Sequence, residues 1–248
     1  MFIIYLCIFF LGASLASFIN ATLYRIDKGY QYPTIVTKNS FCEKCKKPLS
    51  WVQLIPVFGY LIYGGRCKYC KTFVRLYYPI SELLLGLSFL LMYLYSIPFY
   101  FFIIVIFLFI LSYYDSISMS VPRIIVHILL ITSILIFFFF QFIPLNIIVP
   151  LIIGMFLLLV NVIKKSFGFG DILILFSVGI LQTPKQMVCT FWLGVLIALL
   201  YSIIIIIRKK IDIKKAKIPM VPFFSVAFVI SLIYGEALVE MLLKIFRI

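Results

Sequence analysis

Two aspartates and four cysteines are the residues of this 248-residue chain whose types and placement could do chemistry. Asp115 stands in SYYDSISMSVPR, where a long apolar run gives way to polar residues, and Asp171 follows GFG in FGFGDILILF, at the head of another apolar run. Taken singly, each reads equally well as a helix-end carboxylate: a cap or polar anchor in the first case, a partner of the helix dipole in the second. Brought together, they can share one proton. The ionised member then activates water while the protonated one polarises a peptide carbonyl, because like charges at close range separate the two titrations. That is aspartyl protease chemistry. Gly168 and Gly170, beside Asp171, would let a substrate backbone approach closely, or would simply make a flexible turn.

The cysteines Cys42, Cys45, Cys67 and Cys70 form CEKC and CKYC pairs with 21 residues between them. Each pair can aim two thiolates at one ion, and two pairs complete a tetrahedral site for which zinc is the natural occupant. Such a site has no open position, so the metal would fold the segment and leave the chemistry to other groups. Redox-active disulfides are the competing reading. Cys7 and Cys189 fall inside apolar runs and read as small core residues. Glu82, in YPISELLLG, is either a helix-entry carboxylate or a participant in a second reaction. Glu236 and Glu240, one helical turn apart, read as interfacial, and His127 has no partner nearby in sequence to make a site.

The elements that must position these groups are membrane helices. The chain is 65% apolar and only 12% charged, too little polar surface for a soluble protein of this size. We place eight spans at about 1–23, 77–95, 98–114, 122–142, 144–163, 169–183, 186–207 and 219–243, which gives an all-α membrane protein with a long loop between helices 1 and 2. Three parts follow: a first transmembrane helix at 1–23, a four-cysteine loop at 24–76, and a seven-helix membrane domain at 77–248. The opening run lacks the basic start of a removable signal peptide and reads as a full span. The sixth apolar run is short, so Asp171 is expected below the lipid surface.

Net charge is +14, but the basic residues cluster in loops beside apolar spans, a topology signal rather than one for nucleic acid. Nineteen of them fall on the side that holds the 24–76 loop and three on the other. The first side is therefore expected to be cytoplasmic, both termini outside, and the two aspartates on one cytoplasmic face of a cell membrane. RKKIDIKKAK at 208–217 reads as a positive anchor for anionic lipid. Phe137–Phe140 reads as lipid-facing bulk, and the apolar insert Trp51–Tyr63 as packing either beneath the cysteine turns or on the membrane surface.

With these pieces in order, the chain resembles the type IV prepilin peptidases, of the GxGD aspartyl protease class, and in particular the competence-type enzymes of Gram-positive bacteria. The resemblance rests on SFINATLYR at 17–25, the two CxxC pairs with LSW at 49–51, YPISE at 78–82, and Asp115 followed by Pro122. GFGD at 168–171 and PMVPFF at 219–224 complete it. It implies that Asp115 and Asp171 are catalytic, that the four cysteines bind zinc, and that the substrate is a prepilin or pseudopilin leader cut on the cytoplasmic side. It also suggests N-methylation of the new N-terminus with S-adenosylmethionine, for which Glu82 and the cysteine loop are the places to look. Ala16, Arg123 and Leu173 depart from the usual pattern without removing a catalytic group. A zinc-regulated transporter and a membrane thiol oxidoreductase are the competing readings.

Overall fold

The computed structural model describes residues 1–140, 143–163, 168–209 and 218–245, the side chains of 208 and 209 excepted. Lys164, Lys165 and all but the first two residues of the 208–217 basic patch lie outside them. The chain runs through α1 (Phe2–Asp27), α2 (Thr34–Thr37), a 3₁₀ turn (Trp51–Leu54), α3 (Phe58–Ile62), α4 (Tyr77–Leu94), α5 (Tyr100–Ser118), α6 (Arg123–Phe139), α7 (Leu145–Ile163), α8 (Phe169–Gly179), α9 (Pro184–Lys209) and α10 (Val221–Ile245). Each expected span is matched by a helix. Six of the eight are long and apolar enough to cross a membrane, while α6, with 17 residues, and α8, with 11, are shorter. At 1.5 Å per residue α8 reaches only about 17 Å, half the thickness of a bilayer core.

Two compact units result, Met1–Ser96 and Ile97–Ile248. The helix expected to open the seven-helix domain, α4, is thus grouped with α1 and the cysteine loop. The sequence explains why these two helices pair closely. Gly12 faces the Leu85 carbonyl and Phe89, and Gly86 faces Phe9, so near that an added Cβ would stand within 3 Å of its neighbour in both cases. Small residues at such crossings let backbones approach, and in lipid that packing supplies most of the attraction. Ala13 and Ala16 complete the seam, fully buried, and the Asn20 side-chain amide donates to Ser81 Oγ at 2.8 Å. Cys7, expected in the core, lies exposed on α1 instead.

In the second unit α9 and α10 pack along their length, and α8 lies against α6 and α7. Leu157, Ile172, Leu175, Met187 and Phe224 form one buried cluster that joins α7, α8, α9 and α10. A polar knot closes the far end of α8. The Gln182 side-chain amide donates to Thr190 Oγ1 at 2.9 Å and Ser231 Oγ at 2.7 Å, and Thr190 returns a hydrogen bond to Gln182 Oε1. All three residues are fully buried, and their mutual satisfaction is what makes burial tolerable. Phe138 and Phe139 point outward, as expected for lipid-facing bulk.

Candidate active site and metal centre

The cysteine loop is built from two copies of one local device. Cys42 N–H donates to the Lys47 carbonyl and Lys46 N–H to the Cys42 carbonyl; Cys67 N–H donates to the Thr72 carbonyl and Lys71 N–H to the Cys67 carbonyl. Lys46 and Lys71 each take a left-handed conformation, φ 59° and 56°, so that the chain doubles back after the second cysteine of each pair. Isolated bridges, Phe41 with Pro48 and Arg66 with Phe73, seal the two turns. The four Sγ atoms converge within 4.8 Å of one another, forming a site that can hold a metal ion. Cys42 Sγ and Cys70 Sγ stand 3.8 Å apart. That matches the edge of about 3.8 Å expected of a tetrahedron with metal–sulfur bonds of about 2.3 Å. Burial pushes the Cys42 thiol up to about 11, while hydrogen bonds from the Thr72 hydroxyl and backbone bring Cys70 down to about 6. One member of the cluster is therefore ready to ionise before a cation arrives. A single point of convergence suits one metal ion better than two disulfides.

Beside the cysteines lies a cavity of about 520 Å³, lined by Ser17, Asn20, Arg25, Tyr78 and Glu82 from α1 and α4 and by the loop around Cys42 and Cys67. Glu82 does not stand at a helix entry. It lies five residues into α4, where its Oε2 accepts a hydrogen bond of 2.8 Å from Val57 N–H. Asn20 Oδ1, buried in the cavity wall, has no hydrogen-bond partner.

The two aspartates both belong to the second unit. Asp115 was expected just past the end of its span; instead α5 continues to Ser118, ended by the left-handed Met119, φ 51°. Asp115 therefore lies within the last helical turn, 7% exposed, and is no cap. Its Oδ2 accepts a hydrogen bond of 2.9 Å from Val221 N–H at the head of α10. This N–H has no partner within its own helix, since the first turn of any helix leaves its donors free. A second contact holds the register: Ser112 Oγ and Ser225 Oγ, one turn further along α5 and α10, are 2.9 Å apart.

Asp171 occupies the third position of α8 and reaches back to accept from Gly168 N–H at 3.2 Å. Asp115 stands near enough to act electrostatically on Asp171. Gly170 contributes by packing. A Cβ there would stand 2.6 Å from Val121 Cγ2, in the connection between α5 and α6, whereas one on Gly168 would stand 3.2 Å from Asp171 Oδ2. The PMVPFF segment was singled out in the sequence only as a family motif. Its role as the donor to Asp115 is not visible there, because Val221 and Asp115 are 106 positions apart.

Among the described residues, Glu236 and Glu240 are engaged elsewhere. Thr183 Oγ1 donates to Glu236 and Lys185 Nζ to Glu240, at 3.2 and 2.7 Å, which joins α10 to the start of α9. His127 is exposed, with Nδ1 2.6 Å from the Arg123 carbonyl of its own helix.

Residues 10–96 match the Bacterial Peptidase A24 N-terminal domain, and residues 102–203 match the Type IV leader peptidase family. A prepilin leader peptidase/N-methyltransferase from Bacillus subtilis strain 168 is 25% identical over 96% of this chain and 97% of its own length. Proteins of the same name from Myxococcus xanthus and Vibrio cholerae are 34% and 33% identical over about a third of this chain, 33% and 32%, and over 24% and 34% of their own lengths. No solved structure matches. Two family models that meet near the boundary between the compact units, together with a relative aligned from end to end, account for both halves of a multi-pass membrane chain that belongs to the type IV prepilin leader peptidases.

Proposed function

We propose that this chain cleaves the leader peptide of prepilin-like precursors with Asp115 and Asp171, and methylates the N-terminus so exposed. The observation that carries the first activity is that α10 packs against both α5 and α8, its head donating to Asp115, with Asp171 within electrostatic reach of that carboxylate. The surroundings divide the roles. Val221 N–H donates to Asp115 at 2.9 Å, and Gly168 N–H, at a longer 3.2 Å, to Asp171. Hydrogen bonds to a carboxylate favour its charged form, which makes Asp115 the ionised member and Asp171 the protonated one. Water loses a proton to Asp115 as its oxygen attacks the scissile carbonyl carbon, and Asp171 gives its proton to the carbonyl oxygen. Collapse of the resulting diol returns a proton to Asp171 and breaks the C–N bond, whose nitrogen takes the proton held by Asp115. Both carboxyls end as they began.

Zinc suits the four thiolates, and such a closed site serves to fold the loop. For the second activity, S-adenosylmethionine supplies an electrophilic methyl group when bound. The cavity of the first unit has the size of small-molecule sites. Asn20 Oδ1 is there to accept from a ligand N–H, and Glu82 to hold an amine nearby. The basic-residue bias supports an orientation with the cysteine loop cytoplasmic and both termini outside. The transporter and thiol-oxidoreductase readings gain no support: Asp115 and Asp171 sit at helix ends rather than at a broken-helix midpoint, and the sulfurs share one centre.

The test is cleavage of a prepilin in vesicles by Asp115→Asn and Asp171→Asn. Side-chain volume scarcely changes, so abolished cleavage with normal insertion supports the reading. Normal processing by either variant would refute it.

A further inference from the structure

The 13 residues Trp51–Tyr63 carry no charge, yet basic clusters flank them on both sides. They fold as a tight hairpin of the 3₁₀ turn and α3. Gly59 lies so near the Gln53 carbonyl that a Cβ would stand 2.6 Å from it, and Gly59 N–H donates to the Ile55 carbonyl at 2.7 Å. Its outer side chains are apolar and bare: Trp51, Leu61 and Ile62 are 76%, 64% and 60% exposed, beyond Leu11 on the open face of α1 at 56%.

Two contacts fix the level of this hairpin against α1 and α4. The antiparallel pair is in register from Asn20 with Ser81 near one end to Tyr5 with Tyr93 near the other. Val57 N–H donates to Glu82, five residues or about 8 Å inside the start of α4. The Phe58 ring lies 5.8 Å from that of Phe10, between the two ends of the register. A segment on the head groups would meet α1 and α4 only at their ends. We infer that Trp51–Ile62 is a re-entrant segment, dipping beside α1 into the hydrocarbon and contacting lipid through Trp51, Phe58, Leu61 and Ile62.

The backbone is prepared for that solvent. Hydrocarbon offers no hydrogen bonds, so non-helical chain survives at depth only where protein satisfies it. Val57 N–H, at the head of α3 and therefore without an intrahelical acceptor, is taken by the Glu82 carboxylate. The basic residues on either side, Lys46, Lys47, Arg66 and Lys68, are placed by chain order to remain with anionic head groups. Because Ile55 and Gly59 also line the cavity, the hairpin separates it from lipid. A substrate anchored by an apolar helix would thus meet the cavity wall without leaving the bilayer. The inference rests on the membrane location of the chain and is independent of the catalytic assignment.

The full chain, reconstituted in vesicles, tests it by tryptophan quenching. Trp51 and Trp192 are the two tryptophans. Trp192→Phe leaves Trp51 as sole reporter, and Phe58→Trp in a Trp51→Phe, Trp192→Phe background places the reporter at the hairpin tip. Lipids brominated at mid-chain are expected to quench position 58 severalfold more than position 51, with iodide ineffective at 58. Leu61→Trp gives a second reading should position 58 disturb folding. Iodide quenching at both positions, or equal quenching at both by lipids brominated only near the head group, would overturn the inference and leave the segment in water or flat on the surface.

Discussion

The cysteine centre and the aspartate pair are built on opposite plans. In the first unit a 29-residue stretch, Cys42–Cys70, supplies all four sulfurs, and each half closes through its own backbone turn with a left-handed lysine. In the second unit Asp115, Asp171 and Val221 come from three separate helices: packing joins Val221 to Asp115 and leaves Asp171 within electrostatic reach. The difference teaches where each site is vulnerable. A local centre fails when a ligand or its ion is lost; an assembled one fails when a helix moves by an ångström.

The largest effect that would sharpen this contrast is loss of cleavage. Asp115→Asn or Asp171→Asn should lower kcat by about 10³-fold or more, measured by gel shift of a prepilin, while metal content stays normal. Cys42→Ser should do the reverse: metal, measured by elemental analysis, and methyl transfer, measured by mass spectrometry, are lost, while cleavage falls by less than about tenfold, as expected of independent sites. Metal should also leave as pH falls, because protons compete for the thiolates, beginning with Cys42, which burial pushes up to about 11. If cleavage tracks metal occupancy one for one, the two centres are not independent.

Smaller effects probe the assembled site. Gly170→Ala drives a Cβ against Val121 and should cost about 10- to 100-fold in kcat through misplacement of Asp171. Adding Val121→Ala should recover most of it. Val221→Pro removes the N–H donor to Asp115, and proline suits the first position of a helix. With Asp115 as the ionised member, the acid limb of the pH–rate profile should move up by about one unit, the alkaline limb staying in place. Movement of the alkaline limb alone would exchange the two roles. Gln182→Ala should cost about 1 kcal/mol of stability, seen as a lower Tm.

The two plans also decide what could be read in the sequence. CEKC and CKYC are legible because their geometry is local, and the spans are legible because hydrocarbon demands unbroken apolar runs. The repeated left-handed lysine stands in CKK and CKT but has no signature there, because a positive φ leaves no mark on lysine. Asp115 and Asp171 were identifiable as a pair from the basic-residue bias, which puts both on one face, and from the family motifs. Nothing in SYYDSIS says that α5 runs past Asp115, since the polar residues that suggested an end are compatible with a last helical turn. The partnerships of Glu82 with Val57 and of Gln182 with Thr190 and Ser231 join distant positions and have no local signal.

The shortness of α8 carries a mechanical meaning. The knot of Gln182, Thr190 and Ser231 pins one end of this element in a fully buried setting, and Asp171 rides near the other, 11 residues or about 16 Å away. So short a rod, held at one end, acts as a lever. A tilt of about ten degrees at the pivot sweeps the carboxylate through about 3 Å, the difference between two acids in contact and two with room for water between them.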